Sequence, residues 1–268
     1  MEKLQTHTKN IRKNIIKMVH NAKSGHIGGA LSATELMTVL YFEEANITAE
    51  NIKSNDRDKV VFSKGHASAL LYSVLSEAKL TDIDVMTYRL INSKLQGHPN
   101  MNYVDGVDMS TGSLGQGISA AVGMAMANKL SKNDNRIYVL LGDGETEEGQ
   151  VWEAAMAASH YNLDNLCVVL DNNNLQIDGD ICKVMNPKPL DEKFKAFGWN
   201  LVEIDGHNLD EIRAAYKEAR EFKGKPTLIL AHTVKGKGVS FMENQAGWHG
   251  IAPSDEQLEQ ALKELEAE

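Results

Sequence analysis

The chain alternates between two kinds of segment, and this limits its fold more than any other feature. Five apolar, strand-like runs are KVVF (59–62), RIYVLL (136–141), NLCVVLD (165–171), NLVEID (200–205) and TLILAHTV (227–234). Helix-like stretches such as ASALLYSVLSEA, VWEAAMAASHY and LDEIRAAYKEAREF lie between them. Strands alternating with helices imply a parallel sheet covered on both faces, so the expected class is α/β, a parallel sheet flanked by helices. Two helices lead in. The second is read as starting at SATELMTVLYFEE, with Ser32 and Glu35 spaced as a capping box. The last segment, SDEQLEQALKELEAE, repeats the device with Ser254 and Gln257, and Leu258, Leu262 and Leu265 form one apolar stripe. A chain of 268 residues can bury a large core. With no repeat, low-complexity tract or Pro/Gly-rich linker, one domain over 1–268 is expected.

Charge and composition remove several function classes. A formal net charge of −9 argues against nucleic acid as a partner, although a local phosphate site stays open. The opening MEKLQTHTKNIRKN has no apolar h-region, and no stretch approaches the roughly 18 apolar residues that span a bilayer. The expectation is a cytoplasmic protein without a membrane segment. Cys167, inside an apolar run, and Cys182, in a loop, form neither a disulfide framework nor a zinc pattern and read as buried or incidental thiols.

In open parallel sheets, ligands bind outside the carboxyl ends of the strands. The five runs are followed by SKGH, GDGETEEG, NNNLQIDG, GHNL and KGKG, all rich in glycine, polar oxygens or histidine, which together read as one rim. The strongest pair is Gly142-Asp143-Gly144 with the asparagines 172–174, about thirty residues on and across one helix (about 148–162). A carboxylate, a carboxamide and a main-chain carbonyl suit a hard octahedral cation such as Mg²⁺, which leaves its other positions to water and phosphate. Gly144 is expected to precede a helix whose first N–H groups can bind an anion. Taken singly, Gly-Asp-Gly and Asn-Asn are also common turns, and that reading stays open for each alone.

Taken together, the two elements match the thiamine diphosphate signature, and further stretches make the likeness specific. AKSGHIGGALSATELMTVLY, VFSKGHASALLYSVL, QGHPN, STGSLGQGISAAVGMAMA, the long GDGETEEGQVWEAAMAASHYNLDNLCVVLDNNNLQIDG and GWHG span roughly residues 20–253. In this order they resemble the N-terminal, diphosphate-binding domain of transketolase. The resemblance implies thiamine diphosphate and Mg²⁺ (or Ca²⁺ or Mn²⁺) as cofactors, with Asp143, Asn173 and the Leu175 carbonyl on the metal. Asn173 is chosen by counting back from Ile177. The Gly144 N–H would meet the diphosphate, Leu114 and Ile177 would flank the cofactor rings, and Gly112 would open a loop beside them. Read without the family, GSLGQG is equally a helix start followed by close-packed small residues.

Of nine histidines, four neighbour glycine in SGHIGG, KGHASA, QGHPN and WHG and stand out from the rest, and imidazoles suit sugar hydrogen bonding and proton movement near pH 7. By the same resemblance His26, His66, His98 and His249 are the catalytic histidines, with His66 and His249 near the diphosphate and reacting carbon, and His26 and His98 on the sugar. Glu148 would sit at a subunit contact between two cofactor sites; it is also a natural first-turn acid of a helix. His207 is read as structural, because Asn208 and Glu211 make a helix start there. His7, His20, His160 and His232 receive no role.

The resemblance also shows what the chain lacks. In the family, the glutamate that activates the cofactor's pyrimidine and the arginines that hold the sugar phosphate come from later domains. The expectation is therefore half an active site. A partner chain with the pyrimidine-binding and C-terminal domains would complete it in an α2β2 assembly acting on sugar phosphates, and the capped last helix is read as a natural end. The implied reaction is two-carbon ketol transfer from a ketose to an aldose. Alternatives are the alpha-type E1 subunit of a 2-oxo acid dehydrogenase, which lacks the Gly-His series, deoxyxylulose phosphate synthase, a single long chain, and a non-catalytic interaction subunit. Dinucleotide binding is disfavoured because no G-x-G-x-x-G follows a strand. Ile27, Ser113 and Asn100 depart from the family pattern, and they touch the sugar end more than the metal end.

Overall fold

The computed structural model describes residues 2–267. In chain order the strands are β1 (Lys59–Phe62), β2 (Ile137–Gly142), β3 (Leu166–Asn172), a small antiparallel hairpin of β4 (Leu175–Gln176) and β5 (Gly179–Asp180), then β6 (Asn200–Asp205) and β7 (Thr227–His232). The main sheet is parallel throughout, in the order β1-β2-β3-β7-β6. The helices are α1 (Glu2–Ala22), α2 (Ile27–Ser32), α3 (Thr34–Val39) running into a π-helical turn (Leu40–Glu44), α4 (Ser68–Glu77), α5 (Gln116–Leu130), α6 (Gly149–His160), α7 (Ile181–Val184), α8 (Leu190–Ala196), α9 (Leu209–Glu221) and α10 (Asp255–Ala267).

The apolar runs are continuous because both faces of the sheet are buried. On β2, Tyr138 and Leu140 point to one side, into a cluster built with α1–α4, α9 and α10. Ile137, Val139 and Leu141 point to the other, into a cluster with α5, α6 and α8. Cys167 on β3 is buried and Cys182 is exposed. Burial pushes the Cys167 thiol up to about 12. Among the described residues no helix is long and apolar enough to cross a membrane.

One expected helix start is wrong. Ser32 closes α2 instead of capping the next helix, and its hydroxyl donates to Asp171 of β3 (2.6 Å), with the Gly29 carbonyl 3.2 Å away. Glu35 is buried and receives the Arg12 guanidinium. The spacing imitates a cap, but both side chains serve long-range polar contacts, and a buried charge left unpaired costs more than a frayed helix turn. At Ser254 the box is real: Gln257 N donates to Ser254 Oγ (3.2 Å) and Ser254 N to Gln257 Oε1 (2.9 Å). There Ala261 and Leu265 are buried, with Leu258 against the same cluster. The expected run to Val234 ends at His232, because the Thr233 hydroxyl turns in to donate to Asp171.

Helix α5 comes so close to the end of β1 that it leaves no room for a side chain at Gly117. A Cβ there would lie 2.6 Å from Ser63 Cα and 2.7 Å from Ser63 Oγ. A Cβ at Gly123, on the same helix, would meet nothing within 4 Å. Gly117→Ala is therefore expected to destabilise the chain by about 1–3 kcal/mol in chemical denaturation. Gly123→Ala should be neutral or stabilising by up to about 1 kcal/mol. Equal effects would contradict this packing.

Candidate functional site: a cleft at the strand ends

The exits of β1, β2, β3 and β7 open into one cleft of about 260 Å³. It is lined by His26, His66, His98, Gly112, Leu114, Asp143, Gly144, Asn173, Leu175, Ile177 and His249, so of the residues given a catalytic, cofactor or metal role from the sequence, Glu148 alone lies outside. Glu148 is exposed, immediately before α6, and makes no side-chain cap. The fifth strand exit is also elsewhere. Because β6 is the sheet edge beyond β7, its His207 lines a separate, larger cavity of about 520 Å³ with Arg12, Glu35 and Lys237. The chemistry favours the smaller cleft, where the glycines, carboxylates and imidazoles meet.

On one wall, Asp143 is buried, and its carboxylate accepts from the Gly144 N–H (2.7 Å) and the Asn174 N–H (2.5 Å). Burial and the nearby Asp171 push its pKa up to about 7. No α-helix starts at Gly144. A 3₁₀ turn, Gly144–Glu147, precedes α6, and the Gly144 N–H is turned to Asp143. The three asparagines separate by direction. Asn172 faces His232 Nδ1 (3.3 Å) and lines a different cavity. Asn174 adopts a left-handed φ of 64°, which asparagine tolerates, and holds the turn through its backbone. Asn173 lines the cleft; its Oδ1 accepts from Leu175 N (3.1 Å) and its amide donates to Asp171 (3.2 Å). The Leu175 carbonyl accepts from the Lys235 ammonium (3.1 Å).

Sequence reasoning missed the charges behind this wall. Lys64 and Asp171 form a buried ion pair (2.5 Å), and Lys64 also donates to the Gly29 carbonyl. Lys235 donates to His249 Nδ1 (3.0 Å), and burial together with Lys64 pushes its pKa down to about 8. Glu145 ties the loop before α5 to β2: its carboxylate accepts from Ser63, from Gly115 N (2.9 Å) and from Gly142 N (3.0 Å), while burial pushes its pKa up. Lys64 and Lys235 stand in the noted SKGH and KGKG exits and were within reach. Nothing local marks Asp171 or Glu145, whose roles arise from contacts distant in sequence.

The four imidazoles form one group, with His26 centred 5.4 Å from His66, 5.9 Å from His98 and 5.3 Å from His249, and His66 5.3 Å from His249. Gly112, at φ 148°, lets the chain pass the His98 ring, where a Cβ would sit 3.0 Å away. Burial lowers all four pKa values, helped at His26 and His98 by Arg89, at His66 by Lys64 and at His249 by Lys235. His26 falls to about 4 and His249 to about 3, so both are neutral at pH 7. Arg89 donates to His26 Nδ1 (3.2 Å) and Lys235 to His249 Nδ1, which leaves the ring proton of each on Nε2.

Among the described residues no three His, Cys, Asp or Glu side chains converge as a metal site. Of the two carboxylates lining the cleft, Glu145 is taken up by Ser63, Gly115 and Gly142, so a cation there would need the Asp143 carboxylate, amide and main-chain oxygens and the ligand's own phosphates. That donor set fits Mg²⁺ with a diphosphate, and the Lys235 ammonium against the Leu175 carbonyl indicates that positive charge is favoured there.

A family model described as the thiamine diphosphate binding domain of transketolase matches residues 4–268. The chain is 41% identical to one of the subunits of an apulose-4-phosphate transketolase from Phocaeicola vulgatus, over 99% of this chain and 94% of that one. It is 42% identical to a 6-deoxy-6-sulfo-D-fructose transketolase subunit of a Clostridium species, over 99% and 97%. Human transketolase is 38% identical over 99% of this chain but 42% of its own length. The crystal structure of Campylobacter jejuni transketolase superposes with a TM-score of 0.92 at 36% identity, over 99% of this chain and 43% of that one. The chain thus spans nearly all of the two subunits and about two fifths of the other two proteins.

The depressed histidines have a stability consequence. Between about pH 6.5 and about pH 4 the unfolded chain takes up a proton at His26 that the folded chain refuses. Stability present above the unfolded value is therefore lost as pH falls through that window. His26→Asn should lose less thermal stability than the unsubstituted chain between about pH 7 and about pH 4.5. Parallel pH profiles would contradict the buried, neutral imidazole.

Proposed function

Since the chain belongs to the transketolase family through its thiamine diphosphate-binding domain, we propose that it is the diphosphate-binding subunit of a two-chain transketolase. The observation that carries this reading is the meeting of Asp143, Asn173, the Leu175 carbonyl and four histidines in one cleft. When bound, thiamine diphosphate supplies the carbon nucleophile and electron sink for moving a two-carbon ketol unit from a ketose to an aldose. Asp143, Asn173 and the Leu175 carbonyl hold Mg²⁺, for which Ca²⁺ or Mn²⁺ can stand in. Lys235 places a point charge beside the diphosphate. Gly144 and Gly112 let the backbone approach the cofactor, and Leu114 and Ile177 flank its rings. His66 and His249 face the reacting carbon, and His249 offers its Nε2–H there. His26 and His98 bind sugar hydroxyls; the Arg89 bond leaves His26 donating through Nε2.

The cleft is a half-site in this reading. Its volume of about 260 Å³ falls below the roughly 300–1,000 Å³ that encloses a drug-sized ligand. Large apolar residues stay exposed at or close in sequence to its wall: Ile177 (61%) lines it, and Ile251 (57%) follows His249 by two residues. Such a margin suits coverage by another chain. The partner supplies the pyrimidine-binding and C-terminal domains, the activating glutamate and the phosphate-binding arginines, in a cytoplasmic α2β2 assembly with Glu148 at a subunit contact. The ketoses named for the two subunit relatives, apulose 4-phosphate and 6-deoxy-6-sulfo-D-fructose, each carry an anionic group and are the first substrates to test.

Two experiments test this. Mixed with its partner, Mg²⁺ and thiamine diphosphate, the chain is expected to cleave a ketose phosphate; decarboxylation of pyruvate instead would favour an E1 subunit. In calorimetric titration of the same complex, Asn173→Ala should weaken Mg²⁺-dependent cofactor binding by at least the roughly ten- to hundred-fold that follows loss of a group merely supporting a ligand. Asn172→Ala and Asn174→Ala should weaken it far less. Equal losses at all three positions would contradict the assignment.

A further inference from the structure

His207 has no part in the function described so far. It lies outside the cleft, and its neighbour Asn208 caps α9 by accepting from Asp210 N and Glu211 N. Its ring nevertheless joins distant elements. Nε2 accepts from the Val234 N–H (2.9 Å), and Nδ1 lies 3.2 Å from Glu35 Oε2. A ring nitrogen that accepts from a backbone N–H carries no proton, so the proton is on Nδ1 and is donated to Glu35. The other Glu35 oxygen receives the Arg12 guanidinium (2.5 Å). Burial works against ionised Glu35, but Arg12 and His207 outweigh it and keep its pKa below the usual carboxylate value. A relay thus runs from Arg12 on α1 through Glu35 on α3 and His207 to the main chain at Val234.

The position of Val234 makes this consequential. Regular pairing of β7 ends at His232, one further bond joins the Thr233 N–H to the Asn172 carbonyl (3.3 Å), and from Val234 on the chain needs other partners. The residues on either side of Val234 both serve the cleft. The Thr233 hydroxyl donates to Asp171, and the Lys235 ammonium reaches the Leu175 carbonyl and His249. The Val234 N–H is the group between them, and the His207 ring is its acceptor.

We propose that His207 is a positioning residue for the cleft: by accepting from Val234 N–H, under the orienting hold of Glu35 and Arg12, it sets where Thr233 and Lys235 are delivered. The effect on cofactor binding rests on the cleft's reading as a diphosphate site; the relay itself does not.

Three variants of the full chain separate the parts. His207→Ala removes both contacts. His207→Asn keeps an amide near Nδ1 but cannot reach Val234, whereas His207→Gln brings an amide oxygen near the Nε2 position. The readouts are amide hydrogen exchange of the peptide containing Val234 and Lys235, and titration of Mg²⁺ with thiamine diphosphate into the complex with the partner chain. His207→Ala and His207→Asn are expected to speed exchange in that peptide while leaving peptides of β2 and β3 protected, and to weaken cofactor binding about ten-fold. His207→Gln should recover both. Unchanged exchange around Val234 in His207→Ala and His207→Asn would overturn the relay. Faster exchange with undiminished binding would overturn the positioning role, as would a His207→Gln variant no better than His207→Ala. If the unsubstituted complex binds no cofactor while the exchange pattern holds, the relay stands and the diphosphate reading of the cleft fails.

Discussion

The buried ion pair between Lys64 and Asp171 is the contact on which the strand-end geometry depends. Asp171 is fully buried on the central strand β3, and Lys64 follows β1 two strands away. Burial opposes ionisation of Asp171, but the Lys64 ammonium and the hydroxyls of Ser32 and Thr233 outweigh it and hold its pKa below the usual range. Those partners come from β1, α2 and the chain after β7, and the Asn173 amide adds the turn after β3. One carboxylate therefore draws four separate segments to one point. Removing one partner of such a pair leaves an uncompensated buried charge and typically costs about 3–5 kcal/mol. The cleft's shape and the core's stability share one anchor.

The electrostatics of the cleft follow from that arrangement. Asp171 is satisfied by its partners, whereas Asp143, close enough to feel its charge, has backbone N–H groups and distant lysines as compensation and is pushed up to about 7. A carboxylate in that condition is stabilised in its ionised form by any cation brought to it. The histidines show the opposite response to the same dryness. Burial and neighbouring cations keep them neutral, so they can donate and accept hydrogen bonds without carrying charge. The proposed function would use both conditions side by side, a place for a metal diphosphate and an uncharged polar wall for a sugar.

Readability from sequence divided along physical lines. The sheet was readable because strands buried on both faces leave continuous apolar runs, and four of its five exits do form one rim. The fifth failed because strand order is not chain order: β7 inserts between β3 and β6, which leaves β6, and the His207 that follows it, at the edge. Ser32 and Glu35 misled because the i,i+3 spacing of a capping box recurs by chance when two polar residues are recruited into a core. Asp171 and Glu145 were invisible, since each acts through partners far away in sequence. The positions that the family likeness assigned, Asn173 among them, line the cleft with the exception of Glu148, because such motifs record three-dimensional neighbours that local spacing cannot.

The central claim is that the oxygens of Asp143, Asn173 and Leu175 form one side of a metal–diphosphate site. Anomalous diffraction from crystals of the assembled complex grown with Mn²⁺ and thiamine diphosphate tests it most directly. The account predicts an Mn²⁺ peak within coordination distance of the Asp143 carboxylate, the Asn173 amide oxygen and the Leu175 carbonyl, with diphosphate oxygens completing the shell. A peak bound through Asn172 or Asn174, or cofactor density away from this cleft, would contradict it.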